Sequence, residues 1–195
     1  MPTHVEREQF DVLFPGAIIL PFRGAWPRIH PSAFIAPGAV VIGDVTIGEE
    51  SSVWFQTTVR GDIAPIGVGA RTSIQDGTVI HVNEDAPVDI GDDVTIGHGA
   101  LIHGTTIRDR VLVGMGAIVL SYSTVGANAV IAAGALIAER VEVPEGVVMV
   151  GVPAKPRDRL GQEQERRLAS IPARYVGVRD EYLDLLRSGS RTEEL

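Results

Sequence analysis

The chain has 195 residues, with 17 Lys and Arg against 25 Asp and Glu, a net charge of −8 at pH 7 and a pI near 5.1. That balance argues against nucleic acid or an anionic membrane surface as a partner. The lack of cysteine removes disulfide and thiol chemistry, and no run of about 18 apolar residues exists to span a membrane. The length suits one domain with a sizeable core, plus a tail.

The start, Met1 to Phe14, is mixed and charged without the basic-then-apolar layout of a signal peptide, so the cytoplasm is the expected compartment. From Ile35 a six-residue beat of branched apolar residues begins: Ile35, Val41, Ile47, Val53 and Val59. It resumes at Val68, Ile74 and Ile80, then Ile90, Ile96 and Ile102. It slips by one to Ile107 and runs on through Val113, Val119, Val125, Ile131, Ile137 and Val143. Neither the 3.6-residue period of a helix nor the two-residue period of an amphipathic strand sustains such a beat. A coil of three short strands joined by tight corners does, with three hexads to a turn and successive coils roughly 4.8 Å apart. Gly or Ala often follows the apolar residue, and a small or β-branched residue stands four places on, as in Ile47-Gly48…Ser51 and Val113-Gly114…Ala117. These fit a narrow triangular core, as does an aromatic content of only 5%; the 22 glycines suit corners of positive φ or close backbone approach. Hexads of this kind resemble left-handed parallel β-helix proteins, and the handedness is implied by that resemblance alone.

Two stretches interrupt the beat, residues 60–67 and 82–89, and read as loops leaving the coil near the first of three histidines. After Val143 the pattern closes at Val150-Gly151-Val152-Pro153-Ala154-Lys155-Pro156. Residues 1–156 are therefore expected to form the β-helix with an N-terminal extension, and 157–195 a helical tail packed on it. Gln162 to Arg167 is charged, and a segment over 172–187, opened by Pro172, carries Tyr175, Val178, Tyr182, Leu185 and Leu186 at helical spacing. Residues 188–195 are expected to fray. Trp26 and Trp54 read as packing or interface residues, and His4 and His30 lie outside the coil register.

His81 follows core Ile80 and His103 follows core Ile102, 22 residues later. Removing about four residues for the loop leaves one coil, so the two imidazoles should stack on one edge, near enough to share a metal with bonds of about 2.1 Å. His98, two places after Ile96 in Gly97-His98-Gly99, should point outward from another edge. A threefold trimer would bring one subunit's His98 to its neighbour's stacked pair; ordinary corner hydrogen bonds are the alternative.

The order Arg60-Gly61-Asp62, Ile74-Gln75-Asp76-Gly77, His81, Ile96-Gly97-His98, His103-Gly104, with Val113-Gly114-Met115-Gly116 beyond it, resembles the γ-class carbonic anhydrase family over residues 30 to 160. The resemblance implies a homotrimer with three interfacial sites. Each would hold Zn²⁺, with Fe²⁺ or Co²⁺ as alternatives, on His81 and His103 of one subunit and His98 of the next. It implies reversible hydration of CO₂ to bicarbonate by a metal-bound hydroxide, a carbonate dehydratase activity of the lyase class. By the same resemblance Gln75 hydrogen-bonds that hydroxide, and Arg60, Asp62 and Asp76 pair charges across the interface and support the site. Taken alone, Gln75 could be a coil-face polar residue and the charged three a surface ion pair of little worth. Ile63 stands where active members carry Glu after the Arg-x-Asp aspartate, and the loop after His81 is short. Glu84, beside Asp85, is the candidate proton shuttle or a solvated loop carboxylate. These departures point to slow or absent turnover. Thr105, where many members have Cys, reads as a packing change.

Two other classes fit parts of the chain. Gly151-Val152-Pro153-Ala154-Lys155 resembles the closing motif of hexapeptide acyltransferases, which bind acyl-coenzyme A between coils. A non-catalytic trimeric scaffold stapled by a metal is the other.

Overall fold

The computed structural model describes residues 4–187. The hexads wind into a parallel β-solenoid of about seven turns, with a C-terminal helix laid against it. Each turn presents three faces. The first stacks Thr58, Val79–His81, Leu101–His103, Ile118–Val119 and Leu136–Ile137. The second stacks Ile66–Val68, Val88–Ile90, Thr106–Ile107, Thr124–Val125 and Glu142–Val143. The third runs from Phe34–Ile35 through Ser52–Val53, Ser73–Ile74, Thr95–Ile96, Leu112–Val113 and Val130–Ile131 to Val147–Val150.

The beat residues point inward and are sealed. Ile47, Val53, Ile74, Ile80, Ile96, Ile102, Val113, Val119 and Ile131 have no exposed surface, and the small partners Ser51, Ala100, Ala117 and Ala129 are buried among them. The glycine after a core residue is needed where coils touch: a Cβ on Gly97 would sit 2.7 Å from the Met115 backbone nitrogen on the next coil. Not every corner uses glycine. Glu50, Arg71, Asp93, Arg110 and Asn128 take φ between 52° and 58° at matched places on successive coils, and their side chains form a ladder. Arg71 pairs with Asp93 through two bonds of 2.7 and 2.9 Å, and Arg110 donates to Asn128 at 2.8 Å. Polar bonds between stacked side chains offset the cost of a left-handed backbone without glycine.

Three expectations about boundaries change. Residues 60–67 do not leave the coil as a loop; they lie in one long strand, Thr58–Val68, whose pairing with Val40–Ile47 jumps from Gly43–Gly61 to Val45–Ile66. The surplus residues are taken up as a bulge because both ends stay hydrogen-bonded to the coil beneath. Pro172 does not open a second helix: one helix spans Gln162–Arg187 with Pro172 inside it. Packing holds that helix together. Tyr175, Val178, Tyr182, Leu183 and Leu186 lie on Phe34, Ala36, Trp54 and Phe55, Trp54 donates to Ser73 Oγ at 2.9 Å, and buried Arg179 donates to the Ser32 carbonyl at 2.9 Å. Between coil and helix, Lys155–Arg159 turns back as a strand antiparallel to Val147–Val150. The expectation of fraying at 188–195 concerns residues outside those described.

Truncating a sealed core residue leaves a void that the stacked coils on either side hold open. Ile131→Ala, far from the histidines, is expected to lower unfolding free energy by about 2–5 kcal/mol, read from chemical denaturation followed by circular dichroism.

Candidate functional site

His81 and His103 stand opposite one another in register at the ends of adjacent strands of the first face. Their rings lie 5.2 Å apart between centroids, and Nδ1 of His81 faces Nε2 of His103 at 3.2 Å. Each outer nitrogen is anchored. His81 Nε2 donates to Asp62 Oδ1 at 2.9 Å, and His103 Nδ1 lies 2.8 Å from Ser121 Oγ. Asp62 in turn pairs with Arg60, which occupies the strand place below His81. Burial alone would raise the Asp62 carboxyl, but the hydrogen bonds from His81 and Arg60 outweigh it and hold the group below its ordinary value. When the His81 ring is neutral, an ionised Asp62 keeps its proton on Nε2 and leaves Nδ1 bare.

In the tautomer in which His103 donates to Ser121, two bare nitrogens face each other. That is the separation a single tetrahedral ion requires: two bonds of about 2.1 Å place their nitrogens about 3.4 Å apart. The donor set therefore fits a metal, with a carboxylate and a hydroxyl already orienting its two imidazoles. Burial, with the charge of His81 second, pushes the His103 imidazole below its ordinary value, against a weaker opposing pull from Glu139. A ligand must be neutral to bind, so this environment favours the binding form.

His98 is elsewhere. It lies at the corner between the third and first faces, where its Nδ1 meets Asp76 Oδ2 at 2.8 Å and the Asp76 carbonyl accepts from Gly99 N at 2.9 Å. Gln75 shares this edge. Being one hexad before His81 places it a third of a turn away, beside His98 and not beneath His81. Among the described residues no three His, Asp or Glu side chains of one chain converge on a point. The chain thus carries two separate groups of these residues, at the two ends of one face: His81, His103, Asp62 and Arg60 at one, His98, Asp76 and Gln75 at the other.

Buried Gln75 also lines an apolar trough of about 510 Å³ between the third face and the C-terminal helix, together with Gly97, Leu112, Met115, Ile171 and Tyr175. Glu84 is exposed in the hairpin that follows His81, where Asn83 and Ala86 pair to leave Glu84 and Asp85 at the tip. Ile63 is exposed on the bulged strand. Thr105 is buried and donates to the Ser123 carbonyl at 2.8 Å. Ser121, which anchors His103, was not marked by the sequence reasoning; its place one coil above the histidine in the column count was the available signal.

Two family models match the chain, the hexapeptide repeat of succinyl-transferase over residues 87–121 and the bacterial transferase hexapeptide over residues 27–61. Fold and matches define a hexapeptide-repeat protein. The sequence is 40% identical over 159 residues to a carbonic anhydrase of Geobacillus kaustophilus, covering 82% of this chain and 87% of that one. It is also 40% identical over 158 residues to γ carbonic anhydrase 2, mitochondrial, of Arabidopsis thaliana, covering 78% and 57%. The chain belongs to the γ-class carbonic anhydrase family. It spans 57% and 58% of the lengths of two Arabidopsis relatives. A Bacillus cereus structure described as a candidate acetyltransferase superposes with a TM-score of 0.86 at 37% identity, covering 87% of this chain and 99% of that one. No helix among the described residues is long and apolar enough to cross a membrane.

The depressed His103 value has a definite sign. The folded chain prefers the neutral ring, so this group's contribution to stability is complete above about pH 6.5 and is lost as pH falls through the lower folded value. In metal-free protein, NMR titration of the His103 ring is expected to show a midpoint below that of an ordinary histidine.

Proposed function

We propose that the chain is a metal-dependent carbonic anhydrase that hydrates CO₂ reversibly at sites shared between the subunits of a homotrimer. The observation that carries this reading is the His81–His103 pair, with inner nitrogens 3.2 Å apart and outer nitrogens held by Asp62 and Ser121. His81 and His103 would hold the ion from one subunit and His98 from its neighbour, with Zn²⁺ the first choice and Fe²⁺ or Co²⁺ alternatives. Such an ion, when bound, lowers the pKa of its water to about 7 and so supplies a nucleophile at neutral pH.

The protein's own residues do the rest. Asp62 and Ser121 fix ring orientation, Arg60 keeps Asp62 ionised, and Asp76 orients His98. Gln75, arriving with His98, offers an amide to hold the reacting oxygen in line with CO₂. Glu84 accepts the released proton and passes it to buffer. With Ile63 in place of a second carboxylate, only this one relay serves the site, and turnover is expected to be slow.

The trimer is supported by the first face itself. Val79, Leu101 and Ile118 stack on it in register as an exposed apolar stripe. The two groups of site residues flank that stripe. In a threefold ring each subunit offers one edge to each neighbour, so the face between the edges turns to the axis, where an apolar surface is covered. Acyl transfer from acyl-coenzyme A is the second reading, favoured by the transferase-named family models and by the apolar trough; tight coenzyme A binding without metal-dependent hydration would replace the first reading with it.

Stopped-flow CO₂ hydration with metal analysis on the same sample is the direct test. Metal near one per chain with metal-dependent turnover is expected; no metal after reconstitution refutes the proposal. His98→Ala should lose the metal while its circular dichroism stays that of the parent, because His98 lies outside the core. Ile118→Glu places a charge on the axis stripe and should yield monomers by light scattering, with loss of metal in step.

A further inference from the structure

We propose that Tyr122 is a positioning residue which, working across Gly104, latches the hairpin 82–87 to the coil and holds Glu84 at the edge of the histidine site. This rests on the hydration reading above and concerns how the proton leaves.

The hairpin is a minimal one. Asn83 N donates to the Ala86 carbonyl at 3.1 Å and Ala86 N returns the bond at 3.2 Å, leaving Glu84 and Asp85 as the two tip residues. A lone two-residue hairpin has little stability of its own. Here its tip is gripped from 37 residues away: Tyr122 Oη donates to Asp85 Oδ1 at 2.6 Å. Tyr122 lies two coils above the hairpin's root, since Val79, Leu101 and Ile118 are successive partners in register. The hairpin must therefore fold up across the coil between them.

Gly104 makes that crossing feasible. It sits on the intervening coil at φ +51°, and a Cβ there would come to 3.0 Å from Ala86 Cβ, the Ala86 carbonyl oxygen and Ser121 Oγ at once. The hairpin thus passes over a bare Cα. Tyr122 is itself held from both sides. Its backbone N–H donates to the Gly104 carbonyl at 2.8 Å, and the Arg140 guanidinium stands 4.4 Å from its ring centroid. The residue before it, Ser121, contacts His103 Nδ1 at 2.8 Å. One dipeptide, Ser121-Tyr122, therefore controls both the second histidine and the tip of the hairpin that follows the first.

Glu84 and Asp85 are both exposed at that tip, and Glu84 is separated from His81 by Val82 and Asn83. A relay carboxylate works only within hydrogen-bond reach, directly or through one water. With the tip pinned through Asp85, its neighbour keeps a fixed place at the edge. The proton released by hydration rests on the Glu84 carboxylate and is taken by a base in solution.

The test uses full-length, metal-loaded protein and compares Tyr122→Phe with the parent in CO₂ hydration. Tyr122→Phe keeps the ring for Arg140 and removes only the hydroxyl. Expected is a fall in kcat of about tenfold in dilute buffer, with kcat/KM and metal content within twofold of the parent, and restoration of kcat by concentrated 1,2-dimethylimidazole. Asp85→Ala should reproduce this pattern, and adding Tyr122→Phe to Glu84→Gln should cost nothing further. A Tyr122→Phe protein with the parent's kcat in dilute buffer overturns the latch and leaves the hydration reading standing. So does a joint loss of kcat and kcat/KM without rescue, which would make Tyr122 a support of the histidines alone. A metal-loaded parent that turns over no CO₂ overturns the hydration reading, and the latch with it.

Discussion

The strand-to-strand register of the parallel coils is the constraint on which the rest of the structure depends. Each coil is held to the next by main-chain bonds, as where Val79 N donates to the Ala100 carbonyl and Leu101 N to the Ala117 carbonyl. These bonds have no side-chain specificity; the register is set by which residues turn inward. Ile80, Ile102 and Val119 are sealed in one column, and a slip of one residue would expose all of them. The neighbouring column, Arg60, His81 and His103, inherits its alignment from that burial. The histidines face each other because the isoleucines before them cannot move.

This is why so much of the site was legible in the sequence. A period of eighteen residues, corrected for one hairpin, predicts the contact between His81 and His103, and the count from core positions puts His98 on another edge. What the count handles badly is anything that leaves the period. Gln75 has the phase of His81, but phase within a hexad does not say which of three edges a residue occupies, so its company with His98 emerges only when the hexads are wound. The bulge at 60–67 and the antiparallel strand Lys155–Arg159 depend on where surplus chain finds hydrogen-bond partners, which no repeat encodes. Pro172 read as a helix start by local rule, yet it is tolerated inside a helix pinned by Tyr175, Tyr182 and Arg179. The contact between Asp85 and Tyr122 was invisible for a related reason: it joins a residue outside the repeat to one within it.

The corners show how a site can be built on a scaffold of such uniform strands. Where nothing but a turn is needed, stacked residues such as Arg71 and Asp93 hold a left-handed backbone by pairing with each other. Beside the histidine edge the corner is instead bare at Gly104, crossed by Ala86 and overhung by Tyr122. The fold spends side chains at one corner for rigidity and withdraws them at another to admit a loop. Two departures from the hexad pattern lie next to the histidine edge in the chain, and the exposed Ile63 and Glu84 sit on them.

Splitting the ligands between two edges has a thermodynamic consequence in the trimeric reading. One chain supplies two imidazoles in good geometry and a third pointing away, so a monomer can offer an ion only a partial set. Full coordination exists only in the assembled ring, and each bound ion then stabilises the ring over its parts by its own binding free energy. The same link runs in reverse: covering the stripe of Val79, Leu101 and Ile118 brings His98 toward its neighbour's pair before any ion is present. In that reading metal affinity and subunit association are one equilibrium, and a residue such as Ile118, which touches no ligand, would govern metal binding as Asp62 would.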